Sequence, residues 1–311
     1  MFQTKIIDDF KGYGKCIHLT NGIVELMAAL DVGPRICYYG FVGGKNILLE
    51  PDSPCPFLEP QTSEHMQRYY GKGSALYLRG GHRLWVSPEY YPETYYPDNF
   101  PIEYEIIENG VVLTQQPQIE NQIQLKITIT LSENSSEVTL KHEIKNLALH
   151  NQQISAWAIS MLKEGGTEII KRNTKAVPYL PNGNFVFWPF SMLNDDCLYI
   201  SEKYFTLNNP VEGSTKYGFG LDDGETYYAI DDVVFINKFT PNFPNGVYPD
   251  FGSNYETFSC EWFTEIETLS ESKTLASGET IEHTESWKLV KKPCDFDRKN
   301  DDSIKNFLSK L

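Results

Sequence analysis

The sequence predicts an all-β protein, a large antiparallel sandwich of two stacked sheets. Three observations carry that expectation. Apolar and polar residues alternate with period 2 over long runs, turn signals separate short apolar segments, and helical periodicity is almost absent.

Taken along the chain, Glu105-Ile-Ile-Glu-Asn-Gly-Val-Val-Leu113 sets Asn109-Gly110 between two apolar runs, a strong hairpin signal. Ile123, Leu125, Ile127, Ile129 and Leu131 alternate with Gln124, Lys126, Thr128 and Thr130, so one face of that strand is apolar. Val138, Leu140, His142 and Ile144 repeat the pattern after the turn Glu133-Asn-Ser-Ser. Ala156-Trp-Ala-Ile-Ser-Met-Leu162 is apolar on both faces and predicts a central strand covered from each side. Asp222-Asp-Gly224 reads as a second hairpin turn, between Tyr217-Gly-Phe219 and Thr226-Tyr-Tyr-Ala-Ile230. The exception to the strand pattern lies at the C-terminus. There Ile304, Phe307, Leu308 and Leu311 follow Asp301-Asp-Ser303, an N-cap signal and an apolar stripe that predict a short helix.

Roughly twenty short strands without helical crossovers imply one large architecture rather than two units. No Pro/Gly/Ser linker or composition break divides the 311 residues, so one domain is expected over 1–311, with a tail at about 292–311 that carries the helix. Aromatic residues make up 14% of the chain, a share that suits both sandwich cores and sugar-stacking clefts.

The formal charge of −15 and pI of 4.9 exclude nucleic acid and anionic membrane surfaces as natural partners, because both repel such a field. Met1-Phe-Gln-Thr-Lys5 opens without an apolar run, and no stretch reaches a membrane span. A cytoplasmic chain, monomer or homodimer, is the expectation. The six cysteines are scattered without a CxxC pair and read as free thiols. No His/Cys/Asp/Glu spacing marks a zinc or calcium site, so neither metal nor cofactor is expected.

Several segments carry a resemblance. Leu78-Arg-Gly-Gly-His-Arg-Leu-Trp85 resembles the "RGG…W" segment of hexose-6-phosphate mutarotases. Thr264-Glu-Ile-Glu-Thr-Leu-Ser270, with Leu275-Ala-Ser-Gly-Glu279 and His283-Thr-Glu-Ser-Trp287, resembles the end of aldose 1-epimerases. Lys141-His-Glu-Ile-Lys-Asn146 and Val24-Glu-Leu-Met-Ala28 with Gly33-Pro-Arg-Ile36 add weaker likenesses, so that roughly residues 15 to 290 are covered. The chain thus resembles the galactose mutarotase-like superfamily, in a divergent branch with "GGHRLW", "YPDFG" and "ExETL" signatures. That resemblance implies a mutarotase-like supersandwich and a small-molecule partner, a sugar or sugar phosphate. Members use a histidine acid and a carboxylate base to open the sugar ring. Here Glu267 stands at the base position, while Trp157 stands on the strand where the histidine is expected.

The candidate site follows from these segments. Glu265 and Glu267 lie two apart on a strand and share a face, where mutual repulsion splits their pKa values. The substitute candidates for the acid are His82, because a histidine titrates near neutrality, and Glu265 as the partner of that split pair. Arg79, Arg83 and Lys238 are candidates to hold hydroxyls or a phosphate, and Asp250 and Glu256 to accept from hydroxyls. Trp157, Trp188 and Trp85 could each offer a stacking face, whereas His142 and His283 read as core histidines. Two functions stay open on this reading: an aldose or sugar-phosphate 1-epimerase, and a non-catalytic carbohydrate-binding protein that has lost the family's acid. A lyase or hydrolase on the same fold is a third.

Overall fold

A computed structural model describes residues 2–175 and 179–311. Among them the strands form two antiparallel sheets. The first, of 11 strands, runs in space as Gln3–Ile7, Cys16–Thr20, Val24–Ala29, Arg35–Phe41, His82–Ser87, Gln152–Lys163, Phe263–Leu269, Tyr255–Cys260, Ser214–Phe219 and Phe185–Phe187. Lys273–Leu275 pairs with the near end of Gln152–Lys163. The second, of 10 strands, runs as Leu198–Ile200, Tyr204–Asn208, Thr167–Lys171, Glu225–Ile230, Val233–Phe239, Thr280–Lys291, Val138–Asn146, Ile123–Leu131, Gly110–Thr114 and Glu103–Ile107. The fold is a β-sandwich of two large antiparallel sheets.

The apolar halves of the alternating strands meet between the sheets. Ile127, Ile129, Leu140, Phe235 and Trp287 of the second sheet pack into one buried cluster with Leu26, Tyr39, Leu84, Ala156 and Ile266 of the first. The strand Ile123–Leu131 is buried at every second residue, as its alternation predicts. Gln152–Lys163 is buried on both faces because it lies mid-sheet with further chain folded over its outer side.

Asn109-Gly110 does close a hairpin, with Asn109 at φ 56°. Asp222-Asp-Gly224 does not. The strand before it, Ser214–Phe219, belongs to the first sheet, and the strand after it, Glu225–Ile230, to the second. The turn carries the chain between layers, a distinction that local turn chemistry does not encode. A helix at Glu64–Tyr70, capped by the Ser63 hydroxyl accepting from the Met66 N–H, was also absent from the sequence reading, being too short to show periodicity.

Arg35, wholly buried, braces the entry to the strand His82–Ser87. Its Nη1 donates to the carbonyls of Leu78 and Gly80 at 2.7 Å each, and its Nη2 pairs with Asp98 at 3.0 Å. Gly80 and Gly81 both have positive φ, and a Cβ there would lie 2.2 Å from the Leu49 oxygen and 2.3 Å from the Ile36 oxygen respectively. The turn is therefore fixed, and with it the register of Arg83 in the sheet.

The C-terminal helix is Asp301–Leu308, capped by Asn300, one residue before the expected cap, which accepts from the Ser303 N–H. Its stripe buries Ile304 and Phe307 against Ile169, Tyr204, Tyr227 and Val234 of the second sheet. No helix among the described residues is long and apolar enough to cross a membrane. Phe307→Ala removes the larger anchor and is expected to cost about 3 kcal/mol, read as a lower urea midpoint with the helix undocked.

Candidate functional site

Register decides which side chains meet. Along the first sheet, Arg83 faces Ile159, Ile159 faces Glu267, Glu267 faces Glu256, and Glu256 faces Gly218. In the next rows Trp85 faces Trp157, while Met161, Glu265, Phe258 and Lys216 stand in line. Residues directly opposite in an antiparallel pair share a face, so these side chains populate one surface, the one turned away from the second sheet. Part of that surface is roofed by the segment 49–78, whose Leu49, Leu58, Met66 and Leu76 pack with Met161 and Phe263. Phe190, from the far end, meets Phe258 with ring centroids 6.4 Å apart.

At the centre stands Lys216. Its Nζ lies 2.8 Å from Glu256 Oε2 and 3.0 Å from Glu267 Oε2, and it sits over the rings of Trp157 and Trp188 at 4.6 and 4.9 Å. Trp157 Nε1 donates to Glu267 Oε2 at 2.8 Å. One strand away, Arg83 Nη2 pairs with Glu265 Oε1 at 3.0 Å, its guanidinium 4.2 Å from the Trp85 ring centre. Trp85 in turn contacts Trp157 and Tyr95 at 5.8 and 5.1 Å. The site is an alternating row of charges on a floor of indole rings.

Burial sets the protonation states. Glu267 is fully buried, and desolvation pushes its carboxyl up to about 7, with Lys216 pulling down and Glu265 pushing up further. Burial drives Glu256 well above the carboxylate range; Lys216 opposes this, while the charges of Glu267 and Asp250 add to it. Burial alone would lower Lys216, but the two carboxylates outweigh it and hold the ammonium charged. Four polar atoms in this row are buried without a partner: Glu267 Oε1, Glu256 Oε1, and Nε and Nη1 of Arg83. Unpaired buried acceptors and donors gathered on one surface are what a hydroxyl-rich ligand would satisfy.

The residues singled out in the sequence divide. Glu265, Glu267, Glu256, Arg83 and Trp157 come together, and Asp250 is close enough for its charge to act on Glu256. Asp250 and Phe251 both take left-handed backbone angles, φ 47° and 58°, in the turn Pro249–Gly252. His82 is not brought to the surface. Next to Arg83 on a strand, it points the opposite way, wholly buried between the sheets against Ser160 and His142, which corrects its assignment as the acid. Arg79 turns aside as well, stacking on Tyr77 at 4.7 Å and donating to Asn99 in a separate cavity of about 640 Å³. Lys238 belongs to the second sheet, mostly exposed, 3.4 Å from Glu225. Lys216 was missed. Its only signal is that Thr215, Tyr217 and Phe219 claim the other face of its strand, which leaves a lone lysine indistinguishable from surface decoration.

No protein-family model matches the chain, and no curated protein matches it. Solved structures do. A galactose mutarotase-like protein of Lactobacillus casei superposes with a TM-score of 0.53 over 93% of this chain and 100% of its own, at 10% identity. A proposed aldose 1-epimerase of Escherichia coli gives 0.53 over 94% and 100%, at 11% identity. A TPR-domain containing protein of Parabacteroides distasonis gives 0.58 over 90% of this chain at 15% identity, and this chain spans 48% of that protein's length. The fold is therefore galactose mutarotase-like, and the sequence lies far from those that share it.

Replacing Lys216 by alanine leaves two buried carboxylates facing each other without a cation. Lys216→Ala is expected to cost about 3 kcal/mol or more of stability at pH 8. The deficit should shrink at pH 5.5, where protonation relieves the repulsion. Urea unfolding at both pH values checks this; an equal loss at both would show that the carboxylates are not the cause.

Proposed function

We propose that this chain binds a sugar on the outer face of the first sheet and interconverts its anomers by acid–base ring opening. The observation that carries the reading is the pair Glu256 and Glu267. They stand directly opposite on neighbouring strands, share one lysine, and each keeps one buried oxygen unpaired.

Ring opening needs a base for the anomeric hydroxyl proton and an acid for the ring oxygen. Glu267, with a pKa of about 7, is the base. Glu256, held protonated above it by burial and by the neighbouring charges, is the acid. The proton on the O1 hydroxyl passes to Glu267 as Glu256 gives its own to the ring oxygen, and the C1–ring oxygen bond breaks. The open-chain carbonyl turns about C1–C2, and reclosure returns both protons and yields either anomer. Trp157 donates to the base and orients it; an indole N–H has no proton to transfer at neutral pH. The free N–H groups of Arg83 would take hydroxyls, and Trp85 and Trp188 would offer ring faces.

Charge favours an unphosphorylated sugar. Glu256, Glu265 and Glu267 against Arg83 and Lys216 leave no cation free of a carboxylate, while Arg79 and Lys238 lie elsewhere. A second reading, binding without turnover, is favoured by one observation: Glu267 Oε2 is already engaged by both Trp157 and Lys216.

Anomer exchange followed by NMR over a panel of free aldoses and their 6-phosphates tests the reading. The expected result is acceleration over buffer with a free aldose, lost about 100-fold or more in Glu267→Gln. The rate should rise with pH through about 7, as Glu267 gives up its proton while Lys216 stays charged and Glu256 keeps its own. Binding with no acceleration across the panel would leave only the second reading.

A further inference from the structure

The space between the sheets holds a second cluster that sugar chemistry does not use. Ring nitrogens of His82 and His142 and a carboxylate oxygen of Glu285 lie within 4.8 Å of one another, all three side chains wholly buried. His82 comes from the first sheet, and His142 and Glu285 from two neighbouring strands of the second.

We propose that these three residues form a binding site for a divalent transition metal of the zinc class, an ion that pins the two sheets together. The case rests on how each ligand is held. His142 donates from Nδ1 to the carbonyl of His283 at 3.2 Å, which leaves a lone pair on Nε2. His82 meets Ser160 Oγ through Nδ1 at 2.9 Å, and that hydroxyl can accept as well as donate. His82 can therefore carry its proton on Nδ1 and turn a bare Nε2 toward His142. Glu285 Oε1 accepts from Thr268 and Asn237 at 2.6 and 3.0 Å, while Oε2 has no partner at all. The outer atom of each residue is anchored, as outer-sphere hydrogen bonds anchor metal ligands; Glu285 Oε2 is left over, and the two imidazole Nε2 atoms meet only each other, at 2.8 Å, a contact that an ion would replace.

Charge points the same way. Glu285 has no lysine or arginine beside it: its neighbours are the Thr268 hydroxyl, the Asn237 amide and the indole N–H of Trp287. A cation would compensate that carboxylate where nothing else does. Zinc–nitrogen and zinc–oxygen bonds of about 2.0–2.2 Å put tetrahedral ligand atoms roughly 3.3 Å apart. His82 Nε2 and His142 Nε2 now stand at 2.8 Å, and all three ligand atoms lie within 4.8 Å, so the two nitrogens would part and the carboxylate would draw in to receive the ion. The donor set, two imidazoles and a carboxylate, suits zinc and its neighbours rather than calcium or magnesium. Because the site is sealed, the ion would enter as the chain folds.

The test refolds the full chain from denaturant with one equivalent of zinc sulfate, or with EDTA, followed by desalting. Expected are one zinc per chain by elemental analysis, resistant to a brief EDTA wash, and a Tm higher by about 5 °C or more than in the EDTA-refolded protein. Cobalt(II) in place of zinc should give the visible absorption of an ion held by nitrogen and oxygen ligands at low coordination number. Glu285→Gln and His142→Asn should lose the metal, whereas His65→Ala, an exposed histidine outside the cluster, should keep it. Less than a tenth of an equivalent in the wild-type chain with equal Tm in zinc and EDTA overturns the proposal. So does zinc that the brief wash strips, since that ion lies on the surface. Wild-type uptake decides the matter even where a variant fails to fold.

Discussion

The outer face depends on one ammonium group. Lys216 bonds Glu256 and Glu267 at 2.8 and 3.0 Å in a place with almost no solvent. At such distances each attraction is on the order of 5 kcal/mol for an effective dielectric near 20. Withdrawing each ion from water costs several kcal/mol, so the trio is close to balanced as a whole and badly unbalanced if any member is lost. Three charges where two are acidic also leave a surplus. The surplus is relieved by keeping a proton on one carboxyl, and that proton separates an acid from a base among two chemically identical side chains. The two indoles reinforce the arrangement, since both present their faces to the same ammonium.

The strands that carry this row present a different polar set to the interior. Arg83 and Glu267 face out, while their neighbours His82 and Thr268 face in, toward His142 and Glu285. Farther along, the buried Glu168 of the second sheet accepts from Tyr255 and Thr257 of the first. Polar pairs thus cross a layer that is otherwise apolar. Each fixes how one sheet sits on the other, because an unpartnered polar group in that layer costs more than a shifted apolar contact. The registration of the sheets and the chemistry of the outer face are coupled through single strands with two faces.

What was legible in the sequence follows from range. Period-2 alternation is local, so the strands Ile123–Leu131 and Val138–Asn146 could be read directly, and so could the shared face of Glu265 and Glu267. Strand register is not local. That Glu256 lies opposite Glu267, and Lys216 opposite Phe258, depends on which strands become neighbours and on their offset. No local pattern marks His82–Ser87 as a strand, and only on a strand are the adjacent residues His82 and Arg83 sent to opposite faces. Asp222-Asp-Gly224 misled for the opposite reason: a tight turn looks the same whether the chain returns to its own sheet or crosses to the other. The three ligand candidates at 82, 142 and 285 could not be seen by spacing at all.

Trp157 shows how one side chain sets the character of the outer face. At 10–15% identity to structures that share the architecture, the fold holds with few residues in common. An imidazole at this place could donate a proton and take it back; an indole offers one fixed N–H and a broad apolar face. The indole also covers Lys216, and by excluding water there it strengthens the field that the ammonium exerts on both carboxylates. The dry, aromatic surroundings that the indole provides are the same surroundings that make a glutamic acid stay protonated.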